Sequence, residues 1–302
     1  MSTSDKKGKY AMRNVTIAAI QMSCKGTREE NIEKAVSFVR KAAEMGGQVI
    51  LLPELFEGWY FCQEKNYAHY SLAYPLEEDP GVKRMQALAK ELKVVLPVSF
   101  YEAARNTTYN SVAMIDADGE ILGVYRKTHI PDDHFYQEKF YFTPGDTGFK
   151  VFDTAYGKVG CGICWDQWFP ESARCMAMMG AEMLLYPTAI GSEPILDCDS
   201  MPHWRRCMQG HAGCNLMPLA AANRIGTEST VPSDENQHQS SSLTFYGSSF
   251  IADETGALVE EAGREEETVL LHTFDLDSVR EMRMSWGVFR DRRPEMYGEI
   301  VK

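Results

Sequence analysis

Short apolar runs and helix-period stripes take turns along this chain. Residues 15–22 (VTIAAIQM) form an apolar run rich in β-branched side chains and predict a buried strand. Thr27-Arg28-Glu29-Glu30 then has the form of a capping box, and Ile32, Ala35, Val36, Val39 and Ala43 recur at helical spacing until Gly46-Gly47. Residues 49–52 read as a second buried strand, so the chain opens on a strand–helix–strand unit. The alternation predicts a helix over 80–92, a strand over 94–101, and strands over 111–115 and 121–125 flanking the turn signal Asp118-Gly119. Further on it predicts strands over 158–164, 183–186 and 217–222, with helices over 171–179 and 201–214 between them. Residues 248–252 and 258–259 flank a second turn, followed by a strand over 268–274 and a short helix over 277–284. The segment 226–242 (GTESTVPSDENQHQSSS) shows no apolar period and reads as a surface loop. Hairpins interrupt the strand–helix alternation, which argues against one parallel sheet and for two sheets with helices outside both.

Composition adds limits. The 302 residues are 44% hydrophobic and 25% charged, enough to bury a core without disulfides or a structural metal. With a formal net charge of −12, nucleic acid is not the expected partner. No stretch approaches the ~20 apolar residues of a membrane span. Residues 1–14 are polar and basic with no apolar core, and read as a disordered arm before a single domain over 15–302. The eight cysteines, in a chain of this size without a secretory leader, point to free thiols and a cytoplasmic setting.

Candidate chemistry sits where predicted strands end. In residues 158–170 (KVGCGICWDQWFP) a strand runs into Cys164, with Pro170 suited to a helix start. A cysteine in such a bend faces the positive end of a helix dipole, which favours thiolate, and the Trp165 N–H points toward a developing oxyanion. The competing reading is a buried core cysteine. Cys161 and Cys164 also make a CxxC, but Cys161 lies inside the strand and no second pair completes a zinc set. Glu54 follows the strand at 49–52, and Lys127 follows the strand at 121–125; each taken alone is equally a solvated charge. Glu138 lies in an unusually aromatic segment, YQEKFYFTPG.

PELF at Glu54, YRKTH at Lys127 and CGICWDQWFPE at Cys164 stand in the order and at about the separations of the nitrilase superfamily. The resemblance runs from residue 15 to about 297. It implies an α/β fold of four layers, an α-β-β-α sandwich, with Glu54, Lys127 and Cys164 as a Glu-Lys-Cys triad and Glu138 as the second glutamate beside the lysine. EGWYFCQ, EKFYFTPGDTGF and SWGVFRDRRPEMYGEI are similar to the branch that hydrolyses N-carbamoylputrescine in polyamine synthesis. That resemblance implies a cationic ureido substrate, no metal or organic cofactor, and a homo-oligomer built from dimers, up to an octamer, with residues 286–302 as an arm. Cys164 is then the nucleophile, Glu54 the general base, and Lys127 with the Trp165 N–H the oxyanion site. Glu193 or the aromatic residues Tyr60, Tyr136, Trp165 and Trp168 are the candidates for holding the substrate's ammonium. A solvated carboxylate is the alternative for Glu193, and simple packing for Trp168. A rival of the same family would act on a ureido acid and would need a basic pocket, for which Arg126, Arg205, Arg206 and Arg224 are the candidates. A non-catalytic binding module is the second rival, disfavoured because it has no need of all three triad residues.

Overall fold

The computed structural model describes residues 13–192 and 197–302. The first half runs β1 (Asn14–Gln21), α1 (Arg28–Glu44), β2 (Val49–Leu51), α2 (Pro80–Leu92), β3 (Leu96–Ala104), β4 (Thr107–Ile115) and β5 (Ile121–Arg126). The second half runs β6 (Val151–Thr154), β7 (Gly157–Cys161), α3 (Pro170–Met178), β8 (Met183–Thr188), α4 (Met201–Asn215) and β9 (Leu219–Asn223). It closes with β10 (Ile225–Thr230), β11 (Ser241–Tyr246), β12 (Phe250–Ala252), β13 (Leu258–Glu261), β14 (Thr268–Asp275) and α5 (Leu276–Trp286).

One sheet has the order β14-β1-β2, and a parallel bridge from Val49 to Val95 carries it into β3-β4-β5. The other has the order β13-β12-β9-β8-β7-β6. The period of two decides what lies between them. Ile17, Ala19, Val49 and Leu51 face the second sheet, where Val159, Cys161, Met183, Leu185, Ala220 and Ala222 meet them. The alternate residues Ala18, Ile20, Ile50 and Leu52 pack outward against α1 and α2. Leu184, Tyr186, Leu219 and Ala221 pack outward against α3 and α4. This is the four-layer α-β-β-α sandwich. Strands buried on both faces read as unbroken apolar runs, which is why β1, β2 and β8 stand out in the sequence.

Local signals set the helix ends. Thr27 and Glu30 form the complete capping box of α1. Asp79 caps α2 by accepting from the Val82 N–H at 2.9 Å, with Pro80 in the first turn and Lys93 left-handed just past the end.

Three stretches depart from the expected pattern. The supposed loop 226–242 overlaps the ladder of β10 with β11, which pairs Ile225 to Thr230 with Tyr246 to Ser241. Its inward positions are Glu228, Thr230 and Ser241, all buried, so the strand period is written in polar residues and escapes a hydrophobicity reading. β4 likewise starts at Thr107, four residues before the expected position, and its early inward positions include Asn110. A tight turn at Arg105, φ +57°, joins it to β3. β1 begins at Asn14, inside the stretch read as an arm; residues 1–12 lie outside the described residues. Beyond α5 the chain makes short 3-10 turns, leaving Trp286, Met296, Ile300 and Val301 exposed. Among the described residues no helix is long and apolar enough to cross a membrane.

Candidate active site

The candidate residues come from both sheets and meet at one end of the sandwich. Glu54 follows β2, and its N–H reaches the Thr188 carbonyl at the end of β8 (3.3 Å), tying the two sheets together there. Lys127 follows β5, Glu138 opens a 3-10 turn over Glu138–Phe140, and Cys164 follows β7. Lys127 Nζ lies 2.8 Å from Glu54 Oε1 and 2.7 Å from Glu138 Oε2. All three side chains are closed off from solvent, and Cys164 is 5% exposed. Tyr60 donates its hydroxyl to Glu138 Oε1 at 2.6 Å. Asn110 donates from Nδ2 to Glu54 Oε1 at 2.7 Å, while Glu54 Oε2 has no hydrogen-bond partner among the described residues. Gly145 closes the Glu138 segment against β5, donating to the Lys127 carbonyl at 2.8 Å. A Cβ there would sit 2.1 Å from the Arg126 carbonyl oxygen, so the approach requires glycine.

Burial sets the protonation states. It pulls the Lys127 ammonium down, but Glu138 and Glu54 outweigh it and leave the lysine well above its ordinary value. Burial pushes the Glu138 carboxyl up to about 7, against the opposing pull of Lys127 and Tyr60. Burial, then the charge of Glu54, pushes the Cys164 thiol well above its usual range, with Lys127 only partly offsetting this. This is the opposite direction from the one the local turn predicts. Cys164 opens a five-residue 3-10 turn, Cys164–Trp168, and α3 begins only at Pro170, so helix-dipole help is remote while desolvation is complete.

Backbone geometry at Cys164 is held from outside. Its φ is +40°, a left-handed conformation that costs a non-glycine residue ~1–2 kcal/mol. Asp166, fully buried, offsets that cost by tying the turn down. Its Oδ2 accepts from the Ile163 N–H (2.9 Å) and the Tyr125 hydroxyl (2.7 Å). Its Oδ1 accepts from the His129 N–H (3.0 Å) and lies 2.8 Å from His129 Nδ1. One carboxylate thus locks the cysteine turn to the segment that carries Lys127. Arg224 does the same for the Glu54 loop: fully buried, it donates to the carbonyls of Glu54 (2.7 Å), Leu55 (2.9 Å) and Gly58 (3.1 Å). It also pairs with Glu228 at 3.1 Å, and Glu228 accepts the Tyr60 N–H.

Other expected residues are placed unevenly. Tyr60 is in the wall of the site, with Tyr136 and Phe245 edge-on to its ring at 5.9 and 5.7 Å. Tyr136 accepts the Gly191 N–H through its hydroxyl at 2.9 Å. Trp165 is 38% exposed and meets Trp168 edge-on at 6.1 Å. Trp168 takes up packing contacts. It lies edge-on to His203 of α4 at 4.9 Å and packs with the α3–α4 layer. The three-residue repeat of a 3-10 turn explains this, since positions 165 and 168 share a side that position 164 does not. Glu193 lies outside the described residues. Cys161 is buried between the sheets as a free thiol, not paired with Cys164.

Asp166, Asn110, Arg224 and Glu228 in these supporting roles have no signature in the sequence beyond being polar. Replacing Asp166 with Asn turns an acceptor into a donor facing existing donors. Asp166→Asn is expected to lower stability by about 1–3 kcal/mol in urea denaturation, and an unchanged midpoint would refute the clamp.

Comparison with known proteins agrees with this geometry. Residues 16–284 match the carbon-nitrogen hydrolase family. An N-carbamoylputrescine amidase of Solanum tuberosum is 58% identical over 96% of this chain and 95% of its own. A citrullinase of Francisella tularensis is 52% identical over 96% of this chain and 99% of its own. The crystal structure of a carbon-nitrogen hydrolase from Helicobacter pylori G27 shares the fold with a TM-score of 0.87 at 38% identity, covering 96% of this chain and 99% of that one. With its two sheets, its buried Glu-Lys-Cys cluster and these relatives, the chain belongs to the carbon-nitrogen hydrolase family of the nitrilase superfamily.

Proposed function

We propose that this enzyme hydrolyses the ureido group of N-carbamoylputrescine to putrescine, ammonia and carbon dioxide. The observation that carries the reading is the 54–58% identity to N-carbamoylputrescine amidases from four plants, which extends over nearly the whole of both chains. The geometry supplies the steps. The Cys164 sulfur attacks the ureido carbon as its proton passes to the unpartnered Glu54 Oε2. Charge builds on the carbonyl oxygen and is met by the Lys127 ammonium and the Trp165 N–H. The bond to the terminal nitrogen breaks, Glu54 returns the proton, and ammonia leaves a thiocarbamate on Cys164. Water, deprotonated by Glu54, attacks that carbon, and the C–S bond breaks to regenerate the thiol. The N-carboxyamine released loses carbon dioxide to give the diamine. Glu138 balances the lysine charge, so that Lys127 is not neutralised by Glu54 alone.

Citrulline is the same ureide with one carboxylate added to the carbon that bears the ammonium, and a citrullinase is also among the relatives. A ureido acid needs a cation for that carboxylate. Arg126 is spent on Glu102 and Asp146, Arg205 on Glu261, and Arg224 on backbone carbonyls and Glu228. Arg206 is exposed on α4 beside Cys207 and Gly210, on the outer helical layer. This supports a cationic substrate without an acid group.

Turnover of N-carbamoylputrescine is expected to exceed that of citrulline and of N-carbamoyl-β-alanine; a preference for either acid in side-by-side ammonia-release assays would overturn the assignment. Cys164→Ser is expected to lose roughly 10³-fold or more in kcat, and full activity would remove Cys164 as nucleophile. Because Glu138 ionises at about 7, kcat/KM is expected to fall as the pH drops through that value. Glu138→Gln should flatten this inflection at a lower rate, and an unaltered inflection would assign it to another group.

A further inference from the structure

We propose that Asn110 is a positioning residue that selects which oxygen of Glu54 takes the thiol proton. This rests on the role given above to Glu54 as base. Asn110 lies on β4 at a fully buried inward position, paired across to Tyr101 on β3. It touches both partners of the ion pair. Its Nδ2 donates to Glu54 Oε1 at 2.7 Å, and its carbonyl accepts the Lys127 N–H at 2.8 Å. Glu54 Oε1 therefore takes two donors, Asn110 Nδ2 and Lys127 Nζ, and Oε2 takes none among the described residues.

A lysine alone does not make that choice. An ammonium carries three donors on a flexible stem and can sit astride both oxygens of a carboxylate. With a second donor fixed on a strand at Oε1, rotation of the carboxylate would break one charge-assisted bond, so Oε2 stays unoccupied. The far end of the amide shows that the arrangement is bought against a cost. Asn110 Oδ1 is buried with no hydrogen-bond partner among the described residues, a state that lowers stability. The opposite amide orientation would set Oδ1 against a carboxylate oxygen, so the bond to Glu54 decides which end faces the site. An apolar residue of the same shape would avoid the orphaned oxygen but would leave the base free to turn.

Asn110→Leu keeps the shape and the backbone bond to Lys127 while removing the donor. The test compares it with the unaltered enzyme in steady-state kinetics across pH, thermal melting and a crystal structure. The expected result is a kcat lower by about 10- to 100-fold, part of the roughly 10²–10⁴-fold that a positioned base supplies. KM should stay within about twofold, and the melting temperature should not fall. In the crystal the Glu54 carboxylate should turn so that Lys127 spans both oxygens. A folded variant with unchanged kcat, or with an unturned carboxylate, would overturn the proposal. If Asn110→Leu does not fold, Asn110→Ser, too short to reach Glu54, carries the same comparison. The crystallographic outcome needs no substrate, so it stands whether or not N-carbamoylputrescine is the ureide hydrolysed.

Discussion

The ammonium of Lys127, sealed from water between two carboxylates, is the constraint around which this molecule is arranged. An unpaired charge in that position would be prohibitively costly, and removing one partner of a buried pair typically costs about 3–5 kcal/mol. Two carboxylates hold the lysine charged. Desolvation, then the charge of Glu54, pushes the neighbouring Cys164 thiol up, with Lys127 opposing them.

Such a cluster survives only if the backbone around it does not move. Loops at strand ends are normally wet, and here they are buried, so their carbonyls need partners from the protein itself. Arg224 supplies three donors to the Glu54 loop, and Asp166 supplies four acceptor contacts to the cysteine turn and the Lys127 segment. These two groups, of opposite charge, fix the two halves of the site on different sheets. The hairpin of β10 and β11 takes part through Glu228, which joins Arg224 to the backbone of Tyr60 and so to Glu138. Precision at the reacting atoms is thus derived from buried polar side chains, and apolar packing holds the frame on which they sit.

The same division runs through the site. The Glu-Lys-Cys cluster lies at the strand ends and is tied to the core. The aromatic wall of Tyr60, Tyr136 and Phe245 is built by loops and by the β10–β11 hairpin.

The layers and the family were legible in the chain itself. Strands buried on both faces appear as continuous apolar runs, and the capping box at Thr27 and Glu30 marks a helix start that the structure reproduces, so the sandwich was legible. The order of PELF, YRKTH and CGICWDQWFPE likewise made Glu54, Lys127 and Cys164 legible as a set. What only the tertiary structure decided lies where inward positions are polar. Asn110 and Glu228 face the interior as a core residue would, yet they look like loop residues, and β10, β11 and the start of β4 were hidden with them. Trp168 went the other way: it sits four residues from Cys164, but the turn points it at α4. The state of Cys164 was also settled in three dimensions, because a thiol's acidity depends on who surrounds it, and the local helix start was outweighed by burial and by a carboxylate 110 residues away in the chain.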